Sequence, residues 1–498
     1  MLKEPLAMSQ LTRRRFVQLA SAGLGATAAS GIHADFVIAG TKSSGRVLGA
    51  NDTIRVAVAG INGRGGEHIK EYANRRGVKI AYLVDPDSTL FAARTKSIEK
   101  IAGYRPQCVQ DLRRALEDKH LDAVSIASPN HWHTLLTVWS CQAGKHVYVE
   151  KPCSHTIFEG RKCVEAAEKY GVVVQHGTQQ RSEGKRAGEI AALQSGKWGK
   201  LLVSKAYVCK PRWSIGFKPD EPVPATLDFD HWTGPAKLRP FNRNLVHYNW
   251  HWFWDFGNGE IGNQGVHQTD VAHWSLGPAA TLPTRVWSLG GRLGFEDQGQ
   301  TPNMQLAVYE FGDVTVVIEV RGLVEGGDKN KGDANVPSKV SNEFYTSEGL
   351  VRDGKFFPKE GGKEHEVKVE PVHVTPGGPF GSFIACVRNR TPKAVNAPIL
   401  NGHYAAALCH LANISYRLGK QVPFSHEPDG MSQPQIAESF EMIKRNLRDV
   451  GVNLDKATYR MGRTLAIDPK TERFIGDPEA DKFLTQGYRA GYEVPEKV

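Results

Sequence analysis

Disulfide and zinc patterns are missing from this 498-residue chain: its seven cysteines include no CxxC spacing, and an odd count leaves at least one without a partner. Neither a disulfide framework nor a metal site is indicated. Beyond the N-terminal segment no apolar run approaches the length that spans a bilayer, which argues against stable membrane insertion. The net charge is +10, but after the N-terminus the cations are interleaved with acids, so a nucleic-acid partner finds little support. There is no internal repeat.

What is present begins with an address. Thr12-Arg13-Arg14-Arg15-Phe16-Val17-Gln18 resembles the twin-arginine export consensus, and a weakly apolar, small-residue stretch from Leu19 to Ile32 follows it. Residues 1–34 are read as a twin-arginine signal peptide, cleaved near Ala34, and 35–50 as a polar, Gly/Ser-rich linker. The alternative, a disordered basic tail before an amphipathic helix, fits less well because the Gly/Ala/Ser run has no polar face. The expected destination is the periplasm or another exported location. Without the signal the net charge falls to +7.

From residue 51 to 179 short apolar strands alternate with helices: strands at 54–59, 78–84, 123–127, 147–149 and 172–175, helices at 68–76, 111–119, 134–143 and 158–170. That alternation predicts an α/β, doubly wound parallel sheet. Residues 180–498 change character. Longer strands at 201–208, 285–289 and 304–320, with helices at 267–275, 383–388, 403–418 and 435–450, predict an α+β domain built on a large, mainly antiparallel sheet with one open face. Such a face suits pairing of identical subunits. Pro/Gly-rich loops are expected at 210–245 and 321–340, and a mostly irregular tail after Lys456.

Gly60-Ile61-Asn62-Gly63-Arg64-Gly65 follows the first strand and opens a helix, the position at which backbone N–H groups and the helix dipole meet a pyrophosphate. This is a Rossmann turn with Asn62 in place of the middle glycine, and Asn is one of the few residues that tolerates a left-handed backbone. Asp85 ends the next strand, placed to accept from a ribose 2′-hydroxyl and to repel a 2′-phosphate, so NAD is favoured over NADP. Ser128, Asn130 and His131 stand at the carboxyl end of a later strand, where open α/β sheets bind ligands; Asn130 also reads as a helix cap. Glu150 and Lys151 end the following strand, which puts a lysine opposite the reactive ring of the dinucleotide. His131 and His133 lack a carboxylate or cysteine to complete a metal set.

The Gly60 turn, Asp85, Pro129-Asn130, Glu150-Lys151-Pro152, the stretch from Gly259 to Asp270 and the segment Asn401 to Leu418 together resemble the Gfo/Idh/MocA superfamily, named for glucose-fructose oxidoreductase, inositol dehydrogenase and rhizopine catabolism. The resemblance implies that Lys151 contacts substrate and nicotinamide. It also implies that an Asp-x-x-x-His pair supplies the other polar catalytic groups, here Asn263 and His267, with the histidine as proton acceptor. Asn263 orients a hydroxyl but exchanges no proton near neutrality, so the acid/base work falls on His267 and Lys151. Asp270, three residues on, is expected to hold the imidazole. A helix-start cap is the plainer reading of His267.

In Tyr248-Asn249-Trp250-His251-Trp252-Phe253-Trp254-Asp255 the period-two tryptophans suggest a strand, most of them core and one or two, such as Trp252, a wall for sugar C–H faces. Arg181, His155 and Arg212 are candidate contacts to a polyhydroxylated or acidic substrate. The expected activity is hydride transfer between a carbohydrate or cyclic polyol and NAD. The alternatives are a glycosidase that oxidises transiently with a recycled, tightly bound NAD, and a non-enzymatic nucleotide or sugar sensor.

Overall fold

The computed structural model describes residues 52–324, 339–428 and 430–498; the expected signal and linker, and much of the 321–340 loop, lie outside the described residues. After Arg55 the chain runs Val56-Ala57-Val58-Ala59, small and β-branched residues that are all buried, which suits a strand covered on both sides. It forms β1 (Ile54–Ala59), the centre of a six-stranded sheet with β2 (Val78–Val84), β3 (Gln107–Val109), β4 (Ala123–Ile126), β5 (His146–Val149) and β6 (Val174–His176). All pairings are parallel, in the order β3-β2-β1-β4-β5-β6. The order reverses between β1 and β4, and the crevice at a strand's carboxyl end opens there.

The crossovers are α1 (Arg64–Ala73), α2 (Leu90–Ala102), α3 (Leu112–Leu116), α4 (Asn130–Gln142) and α5 (Ile157–Tyr170). Helix α5 starts where the Thr156 side chain accepts from Glu159 N and stops at the left-handed Gly171. Neither α2 nor β3 is foreseen in the sequence. Only Thr95 and Ile98 of α2 are buried, and β3 is largely exposed, so neither carries a strong apolar period.

After α6 (Gly184–Gln194) the chain enters a twelve-stranded sheet. Its strands are β7 (Leu201–Cys209), β8 (Arg285–Gly291), β9 (Met304–Phe311), β10 (Val314–Arg321), β11 (Lys339–Thr346), β12 (Gly349–Arg352), β13 (Lys355–Pro358), β14 (His365–Glu366), β15 (Lys420–Pro423), β16 (Thr458–Met461), β17 (Leu465–Asp468) and β18 (Arg473–Phe474). Its main path runs β14-β13-β12-β11-β7-β10-β9-β8-β16-β15, and only β7 and β10 pair parallel. Between β7 and β8 stand the short α7 (Phe229–Thr233) and α8 (Val266–Ser275). Later come α9 (Gly378–Asn389), α10 (Ile399–Arg417), α11 (Pro434–Asp449) and α12 (Pro478–Asp481). Val316, Ile318 and Val320 face a cluster that includes Val266 and Ala272 of α8 and Leu408 of α10.

Two expectations change. The second face of the large sheet is not open at its centre: Leu306, Val308 and Val317 are as apolar as the covered face, and Ile436, Phe440 and Ile443 of α11 pack on them. The tail after Lys456 is mostly irregular as expected, with the short β16 to β18 and α12 within it. The two halves do not separate at residue 180. Phe380, Phe383 and Ile384 of α9 cover β1 and β5 around Ile54, Val56 and Tyr148, and Val494 and Val498 join the core on the other side. Burying each large apolar side chain there contributes roughly 1.5–3 kcal/mol.

Candidate active site

The glycine turn is fixed by contact rather than by composition. Gly60 has φ +78°, and a Cβ on it would lie 2.5 Å from Ser128 N. One on Gly65 would sit 1.8 Å from Gly60 O, so both positions exclude a side chain. Gly63 differs. It precedes α1 with no side-chain cap, and a Cβ there would meet nothing within 4 Å, leaving room at the positive end of the helix. Asn62 is not among the residues with positive φ, so it does not substitute for glycine in the way its type suggests; its carbonyl accepts from Arg94. Asp85 ties this turn to β2, with Oδ2 accepting from Ile61 N at 2.9 Å and Oδ1 from Asp87 N at 3.0 Å. Burial raises its pKa against those two donors.

Glu150 and Lys151 emerge from β5 on the same edge. Glu150 Oε1 accepts from Arg64 Nε at 2.8 Å and pairs with His68 Nε2 at 3.1 Å. Burial alone would raise this carboxyl, but His68, Arg64 and Lys151 hold it well below the usual carboxylate range. His68 was not foreseen, although it lies four residues after Arg64 on α1, the spacing that brings two side chains to one partner. Lys151 Nζ donates to Asn263 O at 2.9 Å and to Asn263 Oδ1 at 3.4 Å. Burial lowers the lysine pKa, opposed by the charges of Glu150 and Glu260.

The opposite wall enters through a π-helical turn, Ile261–Gly265, a widening often found at functional sites. It presents Asn263, whose Nδ2 donates to Glu260 Oε2 at 3.0 Å, and Glu260 is in turn gripped by Arg212 through two bonds of 2.8 and 3.0 Å. Glu260 is 1% exposed and was missed as a site residue, although it lies one turn before Asn263. His267 follows at the start of α8, half-buried, with its pKa lowered to about 3 by burial and by the Lys151 charge. It is a neutral imidazole at physiological pH.

Several expected roles change hands. Asp270 does not hold His267: both its oxygens accept from Arg181 Nε at 2.9 Å, and Thr178 Oγ1 adds a second donor. Arg181, 5% exposed and stacked on Trp274, is therefore consumed by that pair and not presented to a substrate. His131 points away from the cleft to Trp232 O and packs edge-on against Phe256. The tryptophan segment is not a strand but a 3-10 turn, Asn249–Trp252, because its N–H groups bond locally, Phe253 N to Trp250 O for one. Trp252 is buried beneath the Arg212 guanidinium, while Tyr248, Trp250 and His251 line the cleft in its stead.

These parts enclose a cavity of about 260 Å³ along the carboxyl ends of β1, β2, β4 and β5. Gly60, Asn62, Gly63, Arg64, Asp85 and Ser128 form one side, and Asn130, Glu150, Lys151 and Asn263 the other end. Asn130 is held by a bond from Nδ2 to Asn258 Oδ1, and it begins α4 without capping it. His247 Nε2, 3.0 Å from Asp87 Oδ2, pins the aromatic segment to the end of β2. Ser128 Oγ is buried with no partner among the described residues, an orphan that a bound polar group would satisfy. With the side-chain-free turn and the buried carboxylate at β2, the cleft fits a dinucleotide.

Comparison with known proteins agrees. Residues 54–178 match the Gfo/Idh/MocA profile described as an oxidoreductase family, NAD-binding Rossmann fold, and residues 203–318 match its C-terminal alpha/beta domain. A glycosyl hydrolase family 109 protein of Shewanella pealeana is 29% identical over 188 residues, covering 36% of this chain and 40% of that one. Another, from Shewanella putrefaciens, is 27% identical over 224 residues, covering 42% and 48%. The chain thus spans less than half the length of these curated relatives. Among solved structures, the WlbA dehydrogenase of Bordetella pertussis in complex with NADH and UDP-GlcNAcA superposes with a TM-score of 0.52 at 20% identity, over 73% of this chain and 97% of that one. GenD2 from gentamicin A biosynthesis in complex with NAD gives 0.51 at 18% identity, over 74% and 95%. The two profiles match in order on the two sheets just described, so residues 54–178 are similar to that family's NAD-binding Rossmann fold and residues 203–318 to its C-terminal alpha/beta domain.

Proposed function

We propose that this protein is an exported, NAD-dependent oxidoreductase that moves a hydride between a carbohydrate or cyclic-polyol carbon and nicotinamide. The observation that carries the reading is the Lys151 ammonium, set at the end of β5 between Glu150 and Glu260 and held by Asn263 O at 2.9 Å. NAD, when bound, supplies the hydride acceptor. Lys151 donates to the substrate oxygen and supports the negative charge that develops there. His267 takes the hydroxyl proton. Its resting basicity is low partly because of the Lys151 charge, so an oxygen that becomes negative beside Lys151 offsets that field and strengthens the base as the proton moves. Asn263, fixed by Glu260, orients the hydroxyl and transfers no proton. The buried Asp85 favours NAD over NADP.

Replacing Lys151 with Met is expected to lower turnover by about a thousandfold or more while leaving NAD affinity, measured by calorimetry, within about a factor of two. Retained turnover would sink the assignment. The names of the curated relatives favour a second reading, in which bound NAD is reduced and reoxidised within one turnover that cleaves a glycosidic bond. Sugar release with no net NADH separates it from a simple dehydrogenase. Export rests on Arg13-Arg14 and the segment after them; full-length protein recovered only from the cytoplasm on cell fractionation removes it. Pairing of identical subunits would use the part of the large sheet that α11 leaves uncovered, and native mass spectrometry reads the stoichiometry directly.

A further inference from the structure

We propose that a second cavity, of about 250 Å³ and separate from the nucleotide cleft, binds a small polar molecule carrying a carboxylate or phosphate group. Its floor is a buried hydrogen-bonded net centred on Asn258. That side chain accepts from Asn130 Nδ2 at 3.0 Å, donates to His155 O at 3.1 Å and lies 3.3 Å from His410 Nδ1, while its backbone carbonyl accepts from Asn413 Nδ2 at 2.9 Å. Each partner fixes the next, so the floor keeps its shape before anything binds. Asn130 lines the nucleotide cleft, which makes the amide pair the wall shared by the two cavities.

The charge around this floor is unbalanced. Arg417, the last residue of α10, lies over the rings of Trp254 at 5.0 Å and Phe483 at 4.5 Å and lines the cavity. Lys237 and Lys482 stand on the same rim. None of the three forms an ion pair among the described residues. The one lining acid, Asp255, lies 3.7 Å from Arg239, which is itself a cation. Desolvation lowers the Arg417 pKa with only the Asp255 charge to offset it, as expected for a cation short of a counter-ion. Burial keeps His155 and His410 uncharged, with pKa values near 4 and near 3, and their ring nitrogens are taken up within the floor by Gln486, Gly257, Ser154 and Asn258, so they add no charge to the cavity. A bidentate acid on Arg417, with hydroxyls toward the floor, satisfies this set; a neutral sugar leaves the cations unmatched.

Calorimetric titration of the purified protein with glucuronate, glucose 6-phosphate and glucose tests the assignment without reference to turnover. At least one of the two anions is expected to bind more tightly than glucose, and which one does so identifies the acid. Arg417→Gln should weaken that binding by about tenfold or more, while Lys151→Met leaves it unchanged. Should Arg417→Gln fail to fold, judged by near-ultraviolet circular dichroism, the exposed Lys482→Gln is held to the same direction of change. The proposal is overturned if neither anion binds better than glucose, or if binding is lost in Lys151→Met and kept in the rim variant. In that last case the anion sits in the nucleotide cleft.

Discussion

The two walls of the nucleotide cleft are built on different principles. On the Rossmann side, position comes from backbone contact over short stretches of chain: Gly60 and Gly65 touch, Asp85 bonds to Ile61 N, and Lys151 simply ends a strand. On the facing side, position comes from buried charge. Arg212 holds Glu260 and Arg181 holds Asp270, across 48 and 89 residues of sequence. The first wall is limited most by volume at its glycines, and the second by the pairing of its charges.

The sharpest way to break the second wall is to remove one partner of a buried pair. Arg181→Met strands Asp270 in a site with 0% exposure and is expected to cost about 3–5 kcal/mol of unfolding free energy in a denaturant titration. A loss below about 1 kcal/mol would show that the charge does not hold α8 in place. The first wall breaks differently. Gly65→Ala must push a Cβ away from Gly60 O, displacing the turn, and is expected to weaken NAD binding roughly a hundredfold by calorimetry. Acid sharpens the contrast least but touches both sides. His131, His176, His251, His267 and His410 have pKa values lowered to about 3, so the unfolded chain takes up protons near pH 6.5 that the fold does not, and stability is lost as pH falls from about 7 toward 3. Glu159, pushed up to about 7, opposes this: its contribution is present in acid and fades as pH rises through 7. Five groups outweigh one, and thermal unfolding is expected about 5 °C or more lower at pH 4.5 than at pH 7.

That same contrast decides what was legible beforehand. Strands β1 and β2 are bounded in the sequence as they are in the structure, since a short, mostly apolar run before a glycine or an acid, with a single cation at its second position, is a local signal. Lys151, Asn263 and Glu150 come together as their motifs imply. Arg181 and Asp270 were assigned to the substrate and to His267 because nothing local reveals that a cation and an acid 89 residues apart will neutralise each other. The tryptophan segment misled through its spacing: alternation suits a strand, and only the local N–H bonds of the folded chain turn it into a 3-10 coil. The cover of the large sheet was hidden for a similar reason. Val316 and Val317 are both apolar and both buried, a run consistent with two covered faces as much as with one.

The return of α9 to the first sheet imposes an order on synthesis. A ribosome that has finished β6 at His176 has made every strand of the nucleotide domain, but the helix whose Phe380 and Phe383 cover Ile54, Val56 and Tyr148 begins about 200 residues later. At ordinary elongation rates the apolar face of that sheet waits roughly 10–40 s for its lid. Throughout that interval the half-made domain is a client for whatever shields exposed hydrophobic surface.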